Sequence, residues 1–527
     1  MLESRGIVAS IVEPYGYNRD TAASLVLGLA SAVTVLWQNA RLAVLWDVSY
    51  ILENASRIAA GQVPYRDFPF PYAPLTFSIQ ALVIRLFGRV YWHHTAYAAM
   101  ACALAGVLTF RLVRRFVPFT VAALLSSPLV LLGSHCIVPH PFYDSDACLL
   151  LLVLFGALFV RDDSLILGAA FALPLLVKQN IGLAVAGGAI LLFALERRWR
   201  SVAGVLAGGL AVAALVAAVF GLGNYVQWTI RFAAERRLPT LAQQFAIYDD
   251  GTLWWWLAAA GVALFVRRAR WLIALPWLWS EWRLFVTGDP LEPEINLLRL
   301  WPLVIVLAVV VAVRTRTTFP LFVVAAIHGA FLSQSTWGST YAIWPLLMLL
   351  LAIVWRGMEA PVVPAIVVAI VMLHHGWLYV SQDQRLTYAK VGEGELHRSS
   401  LPALRGLVMR GPWLPDFEEL VTWSEGNIPR DDAILAMPGE DLFYFTTGRR
   451  PRFPVLMFDR TINPYSPERL AALAETRDVR WVIIKKRLQL NGEPMPELAA
   501  TLVRLSPHFT LVANLRNYRI LRRSGPP

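Results

Sequence analysis

The stretch from Trp46 to Phe77, WDVSYILENASRIAAGQVPYRDFPFPYAPLTF, follows the first long apolar run of the chain. It cannot itself cross a bilayer, because it carries the charged residues Asp47, Glu53, Arg57, Arg66 and Asp67. The prolines of its second half push the residues before them away from helical conformation. The sequence therefore predicts a constrained, water-facing loop beside a membrane domain, in which the turn at 61–74 presents Asp67.

The composition of the whole chain indicates a polytopic membrane protein. Of its 527 residues, 57% are hydrophobic and only 16% are charged, against about 25% charged residues in an ordinary soluble domain. Apolar runs near the length of a membrane span recur through the first 380 positions. They predict about thirteen spans, at roughly 21–39, 92–113, 117–134, 147–160, 164–177, 180–195, 201–221, 252–266, 271–287, 297–313, 318–334, 340–355 and 361–380.

The net charge of +11 does not indicate a nucleic-acid partner, because the arginines cluster at the ends of the apolar runs. By the positive-inside rule these ends face the cytoplasm, and the bilayer is the partner that they indicate. The topology predicts a multi-pass protein of the plasma (inner) membrane with a cytoplasmic N-terminus. Its long outer loops are 40–91, 134–146 and 224–251, and within the first of them Pro74–Phe87 is predicted to form an amphipathic helix on the membrane.

The composition changes after about residue 381, which predicts two domains. Residues 1–380 form the mainly α multi-span membrane domain, and residues 381–527 form a soluble extracytoplasmic α/β domain. Its expected helices are Asp416–Gly426 and one that begins at Pro467 after an N-cap serine, and its expected strands are Ala433–Met437, Trp481–Ile484, Phe509–Leu515 and Tyr518–Leu521.

Acidic residues of two outer loops are candidates for chemistry. Asp47 is either a solvated carboxylate or an active-site residue, and the constrained turn behind it favours the second reading. The segment His140–Asp146, HPFYDSD, places Asp144 and Asp146 at the start of an apolar run. One of them is expected to cap a helix, and a divalent metal held by Asp144, Asp146 and His140 is an alternative.

Charged residues inside apolar surroundings are a second set of candidates. Lys178, in LLVKQNIG, either reaches the interface, lies at an aqueous cavity or pairs with an anion. Glu281 and Arg283 are predicted to form a structural ion pair or to line a cavity. Glu53, Tyr65 and Tyr143 are further candidates for the cavity.

Several motifs together resemble a known family. The segment ASRIAAGQVPYRDFPFPYAPL follows an Asp just beyond the first span, and HPFYDSD, KQN, YAIWP at 341–345 and MPGEDLFYFTTGRRP at 437–451 come later. This pattern resembles the membrane glycosyltransferases of the GT-C fold, in the group of the protein O-mannosyltransferases and aminoarabinose transferases. The resemblance spans nearly the whole chain, but each motif alone is loose.

The resemblance implies a polyprenyl-phosphate sugar as donor and an acceptor hydroxyl on a glycan, lipid or protein at the outer face. It implies Asp47 as the general base that takes the acceptor proton and Lys178 as the cation that stabilises the leaving phosphate. Arg231, Arg236 and Arg237 are weaker candidates for the phosphate. Many relatives have paired acidic residues after the first span, but Val48 follows Asp47 here. A second carboxylate must therefore come from Glu53, Asp67 or Asp144.

The leading hypothesis is a glycosyltransferase without a certain cofactor, and a rival hypothesis is a transporter or lipid flippase that gates through the acidic loops. Transporters tend to show paired repeats with interrupted helices, and the sequence has no such repeat. Neither the sugar nor the acceptor follows from the sequence.

Overall fold

The structure, a computed structural model, describes residues 17–236, 240–332, 340–382, 389–390, 393–459, 462–490 and 496–524. Its contacts divide the chain into two compact units. Unit 1 comprises Met1–Leu36, Ala98–Ala214 and Leu238–Arg385, and unit 2 comprises Trp37–Tyr97, Leu215–Arg237 and Leu386–Pro527. The soluble domain that the sequence predicts therefore groups with two segments from the first half of the chain.

Helices make up most of the described chain up to residue 381. In order they are α1 (Tyr17–Asn39), α2 (Leu45–Ala59), α3 (Leu75–Phe87), α4 (Tyr91–Val113), α5 (Phe119–Ser126), α6 (Leu129–Leu132), α7 (Tyr143–Leu158), α8 (Leu165–Ala170), α9 (Gln179–Leu195), α10 (Trp199–Phe220), α11 (Leu222–Val226), α12 (Phe232–Arg236), α13 (Leu241–Phe245), α14 (Gly251–Phe265), α15 (Leu275–Thr287), α16 (Glu292–Thr315), α17 (Phe319–Phe331), α18 (Thr340–Met358) and α19 (Val362–Ser381). Short 3₁₀ segments lie at Leu173–Leu176, Ala246–Tyr248 and Arg267–Ala274, and a π-helical turn at Gln227–Arg231.

Within the described residues, six helices are long and apolar enough to cross a membrane, namely α1 from Asn18, α4, α10, α16, α18 and α19. The multi-span helical architecture is thus confirmed, whereas the count of thirteen spans is not. Some predicted runs are broken by proline, which removes a backbone donor from the helix. Pro128 separates α5 from α6, and Pro174 lies in the 3₁₀ segment after α8.

Unit 1 is a bundle in which α16 packs against α17, α18 and α19, and α17 packs against α9. Glycine residues allow two helices of this bundle, α8 and α10, to approach each other closely. A Cβ atom added at Gly204 would lie 2.2 Å from the Leu165 carbonyl oxygen, and one added at Gly208 would lie 2.5 Å from the Ala169 carbonyl oxygen. This small-residue face of α10 therefore packs directly on the backbone of α8.

Unit 2 contains an α/β fold at its C-terminal end. Its described elements are β1 (Leu396–Arg398), β2 (Val408–Arg410), α20 (Trp413–Asn427), β3 (Ala433–Met437), α21 (Phe443–Thr447), α22 (Pro467–Thr476), β4 (Val479–Lys485), α23 (Pro496–Leu505), β5 (Phe509–Asn514) and β6 (Tyr518–Arg523), with 3₁₀ turns at Pro402–Leu404 and Ser506–His508. One sheet has the strand order β3-β4-β6-β5, in which only the β3–β4 pair is parallel. The four strands and two helices predicted for this region are confirmed, including the N-cap at Ser466, whose hydroxyl accepts from the Arg469 amide.

The stretch from Trp46 to Phe77 also belongs to unit 2. It contains α2, the turn at 60–74 and α3, and α2 packs against both α3 and α21. The predicted helix at Pro74–Phe87 is confirmed as α3, which presents one buried face and an outer face with exposed Leu82, Leu86 and Phe87.

Candidate active-site residues

The predicted site residues fall into both units, and each group is described within its own unit. Unit 2 holds Asp47, Glu53, Tyr65, Asp67 and Arg231, and unit 1 holds His140, Tyr143, Asp144, Asp146, Lys178, Glu281 and Arg283. Arg237 lies outside the described residues, as does the side chain of Arg236.

Asp47 lies in the first turn of α2 and is half-buried. A carboxylate is favoured there by the positive end of the helix. The helix start is held by Gln489, whose side-chain oxygen accepts from the Leu45 amide (2.7 Å) and whose side-chain nitrogen donates to the Ala43 carbonyl (2.9 Å). The C-terminal part of unit 2 thus fixes the helix turn that presents Asp47. Nothing in the sequence around Gln489 indicated this role.

Glu53 and Arg57 lie on the buried face of the same helix. The Glu53 side chain accepts from the Phe445 amide at 3.1 Å. The Arg57 guanidinium donates to the carbonyls of Pro454 (2.8 Å) and Phe453 (3.1 Å). Both residues therefore bind backbone groups of the C-terminal part of unit 2.

Burial shifts the pKa values of both Glu53 and Arg57. Desolvation raises the pKa of Glu53 from 4.5 to about 8, although the Phe445 amide opposes the rise. The second carboxyl oxygen of Glu53 has no hydrogen-bond partner among the described residues. Desolvation also lowers the pKa of Arg57 to about 10. At neutral pH we therefore expect a protonated Glu53 beside a charged Arg57.

The turn after α2 is built by its own side chains. Asp67 accepts from the Val63 amide (2.7 Å) and from the Arg66 guanidinium (2.9 Å). The hydrogen bond from Arg66 is the largest cause of a lowered pKa for Asp67. Both carboxylate oxygens therefore have partners within the turn, and this arrangement favours the orienting role of Asp67 over a chemical one.

Tyr65 holds the turn in an unusual backbone conformation, with φ of 66°. Positive φ is uncommon for a residue other than glycine and persists where the surroundings fix it. Here its hydroxyl donates to the Tyr72 carbonyl (2.6 Å), and its own carbonyl accepts from the Trp228 indole (3.1 Å). Trp228 belongs to the π-helical turn that ends at Arg231, an exposed residue.

In unit 1 the starts of two helices bring opposite charges together. Asp144 lies in the first turn of α7, and Lys178 is the residue that precedes α9. The Lys178 ammonium forms a buried salt bridge with Asp144 and lies 5.5 Å from the centre of the Tyr143 ring. An anionic partner was one of the alternatives that the sequence left open for Lys178, and the sequence did not identify that partner.

The predicted metal ligands around Asp144 do not form a cluster among the described residues. The single group of three whose ligand atoms lie within 4.8 Å of one another there is Glu281, His374 and His375. His140 is buried, and desolvation lowers its pKa to about 4. Its Nδ1 lies 2.9 Å from the Pro141 carbonyl.

Glu281 and Arg283 do not pair with each other in the contacts described for them. The Arg283 guanidinium donates to Glu292 at 3.0 Å, and Glu292 lies 3.6 Å from Arg299. Glu281 instead contacts His374. Two residues on one helix that are two positions apart point to different sides, which explains why the sequence proximity of Glu281 and Arg283 was misleading.

Comparisons with known proteins found no matching family model and no matching curated protein. Solved structures to which this chain is similar include ArnT from Cupriavidus metallidurans bound to undecaprenyl phosphate, with 15% identity, a TM-score of 0.45, and 97% of this chain and 99% of that chain covered. The Archaeoglobus fulgidus oligosaccharyltransferase in complex with Zn and sulfate matches with 14% identity, a TM-score of 0.49, and 88% and 68% covered. Likeness at this level assigns no family, no substrate and no role to any residue.

Proposed function

We propose that the protein is a membrane glycosyltransferase that moves a sugar from a polyprenyl-phosphate donor to an acceptor hydroxyl at the outer face. The observation that carries this proposal is the buried Asp144–Lys178 pair between two helix starts. Removing both charges from water costs several kcal/mol per ion, so an apolar pair of similar size would serve a purely structural purpose as well. A chemical use for the cation explains its presence.

Lys178 is assigned to the phosphate of the donor. The N-terminal ends of α7 and α9 carry partial positive charge, and backbone amides at such ends favour anions. The ammonium adds a full charge at the same place. As the bond between the anomeric carbon and the phosphate oxygen breaks, negative charge develops on the phosphate, and Lys178 stabilises it. Arg231 is a second, exposed candidate for phosphate binding.

Asp47 is assigned as the general base. In the proposed reaction its carboxylate takes the proton of the acceptor hydroxyl while the hydroxyl oxygen attacks the anomeric carbon and the lipid phosphate leaves. The first turn of α2 places this side chain at the positive end of the helix.

Asp144 is assigned to position Lys178, with which it forms the buried salt bridge, whereas the other two candidate carboxylates bind groups of unit 2. Glu53 is buried against the Phe445 amide, and Asp67 is bonded to Arg66 and Val63. Asp144 holds the Lys178 ammonium before the donor arrives. We propose that the ammonium is then shared between Asp144 and the donor phosphate.

A transfer assay tests the proposal. Membranes that contain the protein are supplied with a polyprenyl-phosphate sugar labelled in the sugar, and the label is followed into acceptors while free polyprenyl phosphate is measured. Equal release of polyprenyl phosphate and transfer of label is expected. Movement of intact labelled donor between leaflets without cleavage of its sugar–phosphate bond would instead support the transporter hypothesis. A loss of surface glycan in cells without the protein would identify the acceptor class.

A further inference from the structure

A group of three metal-ligating side chains lies in unit 1, apart from the residues assigned above. Glu281 belongs to α15, and His374 and His375 belong to α19. One ligand atom from each lies within 4.8 Å of the other two. Two helices that are separated by about 90 residues of chain therefore bring the group together.

The Glu281 carboxylate lies between the two imidazole rings. One of its oxygens is 2.8 Å from Nδ1 of His374, and the other is 3.5 Å from Nδ1 of His375. Successive helix residues are rotated by about 100°, so neighbouring histidines rarely share one ligand. Here they do so because the carboxylate approaches between them from a second helix.

The carboxylate is only partly satisfied by these contacts. The oxygen that faces His375 has no hydrogen-bond partner among the described residues. The Glu281 side chain is 25% exposed, and His375 is almost completely buried. A buried carboxylate oxygen without a partner is unfavourable, and acidic residues within a membrane domain generally face a partner or a cavity.

Both ring nitrogens of His375 have neighbours. Its Nδ1 lies 3.0 Å from the Val371 carbonyl, and its Nε2 lies 3.3 Å from the side-chain nitrogen of Asn296 on α16, which also donates to the Ser280 carbonyl at 2.9 Å. A metal ion bound at Nδ1 therefore takes the place of the Val371 contact, and the neighbour at the second ring nitrogen orients the ring. His374 is 42% exposed, so the group lies at the surface of unit 1.

We propose that Glu281, His374 and His375 bind one divalent transition-metal ion of the zinc class, which joins α15 to α19. Two imidazoles and one carboxylate are a ligand set that suits Zn²⁺, with water in the remaining position. The ion neutralises the unpartnered oxygen and replaces the hydrogen bond between Glu281 and His374 with two metal bonds. Because α19 is the last described helix before the C-terminal part of the chain, the ion fixes the end of the membrane bundle.

The test uses the full-length protein, purified in detergent with a tag that contains no histidine and stripped of metal by a chelator. Zn²⁺ is titrated calorimetrically, and Co²⁺ is added separately to record its visible absorption. One equivalent of Zn²⁺ and a Co²⁺ spectrum of nitrogen and oxygen ligands are expected. Glu281→Gln, His374→Ala and His375→Ala are each expected to weaken binding by about 100-fold, whereas His508→Ala, at an exposed histidine outside the group, leaves it unchanged.

Folding and binding are separated by a second measurement. Zn²⁺ is expected to raise the unfolding temperature of the wild type and of His508→Ala but not that of Glu281→Gln, provided that each variant elutes as a single species. His374→Cys supplies another zinc ligand and is expected to recover binding and to shift the Co²⁺ spectrum toward thiolate absorption. Absence of binding in the wild type, or equal binding in wild type and Glu281→Gln, overturns the proposal. Glu281, His374 and His375 would then be linked only by hydrogen bonds and electrostatic contacts.

Discussion

The helix α2 in unit 2 and the facing starts of α7 and α9 in unit 1 both carry charges among apolar residues, but they use them differently. On α2, Glu53 and Arg57 contact backbone amides and carbonyls of the C-terminal part of their own unit. At α7 and α9, Asp144 and Lys178 contact each other. The first arrangement satisfies backbone groups, whereas in the second a carboxylate and an ammonium neutralise each other.

Under the proposed function, this difference separates charged residues that hold the fold together from charged residues that take part in the reaction. A side chain that satisfies several backbone groups cannot leave them without leaving buried polar atoms unpaired. An ion pair at two helix starts can exchange one partner for an anionic ligand, because the helix ends and the ammonium still face that ligand. Asp47 shares a helix with the anchoring residues but lies at its first turn, away from their contacts with Phe445 and Pro454.

The largest expected effect is on catalysis by Asp47. Asp47→Asn keeps the shape of the side chain and removes its basicity, so transfer of labelled sugar is expected to fall by about 10²–10⁴-fold, with an unchanged unfolding temperature. Asp162→Asn, at an exposed residue, is the matched control. Full activity of Asp47→Asn would place the base elsewhere.

Loss of Lys178 has the next largest effect. Lys178→Met is expected to lower the rate of transfer by about 10²–10³-fold, because one electrostatic donor to the leaving group is lost. It also leaves Asp144 buried without its cation, which destabilises the protein. The double variant Lys178→Met/Asp144→Asn removes that penalty, and it is expected to recover stability but not activity.

The double variant tests whether the Asp144–Lys178 pair serves stability alone or also serves sugar transfer. A double-mutant cycle measures the coupling of the pair in stability and in turnover separately, and Lys486→Met at an exposed lysine controls for loss of charge. If the double variant recovers both stability and activity, the pair is an anchor like Arg57.

Much of the fold follows from the sequence, because its signals are local. The apolar runs, the N-cap at Ser466 and the β-branched strands each depend on a few neighbouring residues. The span count depends on helix length, and prolines such as Pro128 and Pro174 shorten helices inside runs that remain apolar. Average hydropathy does not register such breaks.

The candidate site was less predictable because its contacts join distant parts of the chain. The sequence identified Asp144 and Lys178 separately, but only the fold pairs residues that lie 34 positions apart. The partners of Glu53 and Arg57 are backbone groups, about 390 positions away, that carry no sequence signal. The group at Glu281 was missed because His374 and His375 lie in an apolar run that indicates only a span.

Arg57 tests the anchoring side of the comparison. Arg57→Met removes the donors to Phe453 and Pro454, and it is expected to lower the free energy of unfolding by about 3 kcal/mol, because buried carbonyls lose their partners. Arg85→Met is the control, since Arg85 also donates to two carbonyls, those of Ile58 and Ala59, but is exposed. Thermal unfolding in detergent measures both variants, and equal losses would contradict the anchoring role.

Glu53, the other anchoring residue of α2, makes the stability of the protein sensitive to pH. With a pKa of 4.5 when unfolded and about 8 when folded, the folded protein retains a proton that the unfolded chain has lost. Stability from this group therefore decreases as pH rises from 4.5 to 8, by at most about 1.4 kcal/mol per pH unit. Glu53→Gln is expected to remove this slope, and Glu475→Gln, at an exposed residue, is expected to retain it. Parallel pH curves for wild type and Glu53→Gln would show that Glu53 is already ionised.

The smallest effect is expected at Asp67. Its substitution tests whether the turn at 61–74 only supports the fold or also contributes a catalytic carboxylate. Asparagine retains an acceptor for the Val63 amide but loses the charge-assisted bonds with Arg66. Asp67→Asn is therefore expected to lower the free energy of unfolding by about 0.5–1 kcal/mol and to leave transfer within about threefold of wild type.

The pH dependence of that small loss identifies its cause. Arg66 lowers the pKa of Asp67, so the carboxylate contributes stability above its unfolded pKa of 3.8, and this contribution disappears as pH falls through the lower folded pKa. The difference between wild type and Asp67→Asn should then vanish in acid. A loss of transfer above about 100-fold at unchanged stability would instead make Asp67 a second catalytic carboxylate, and Asp144 would then remain only the partner of Lys178.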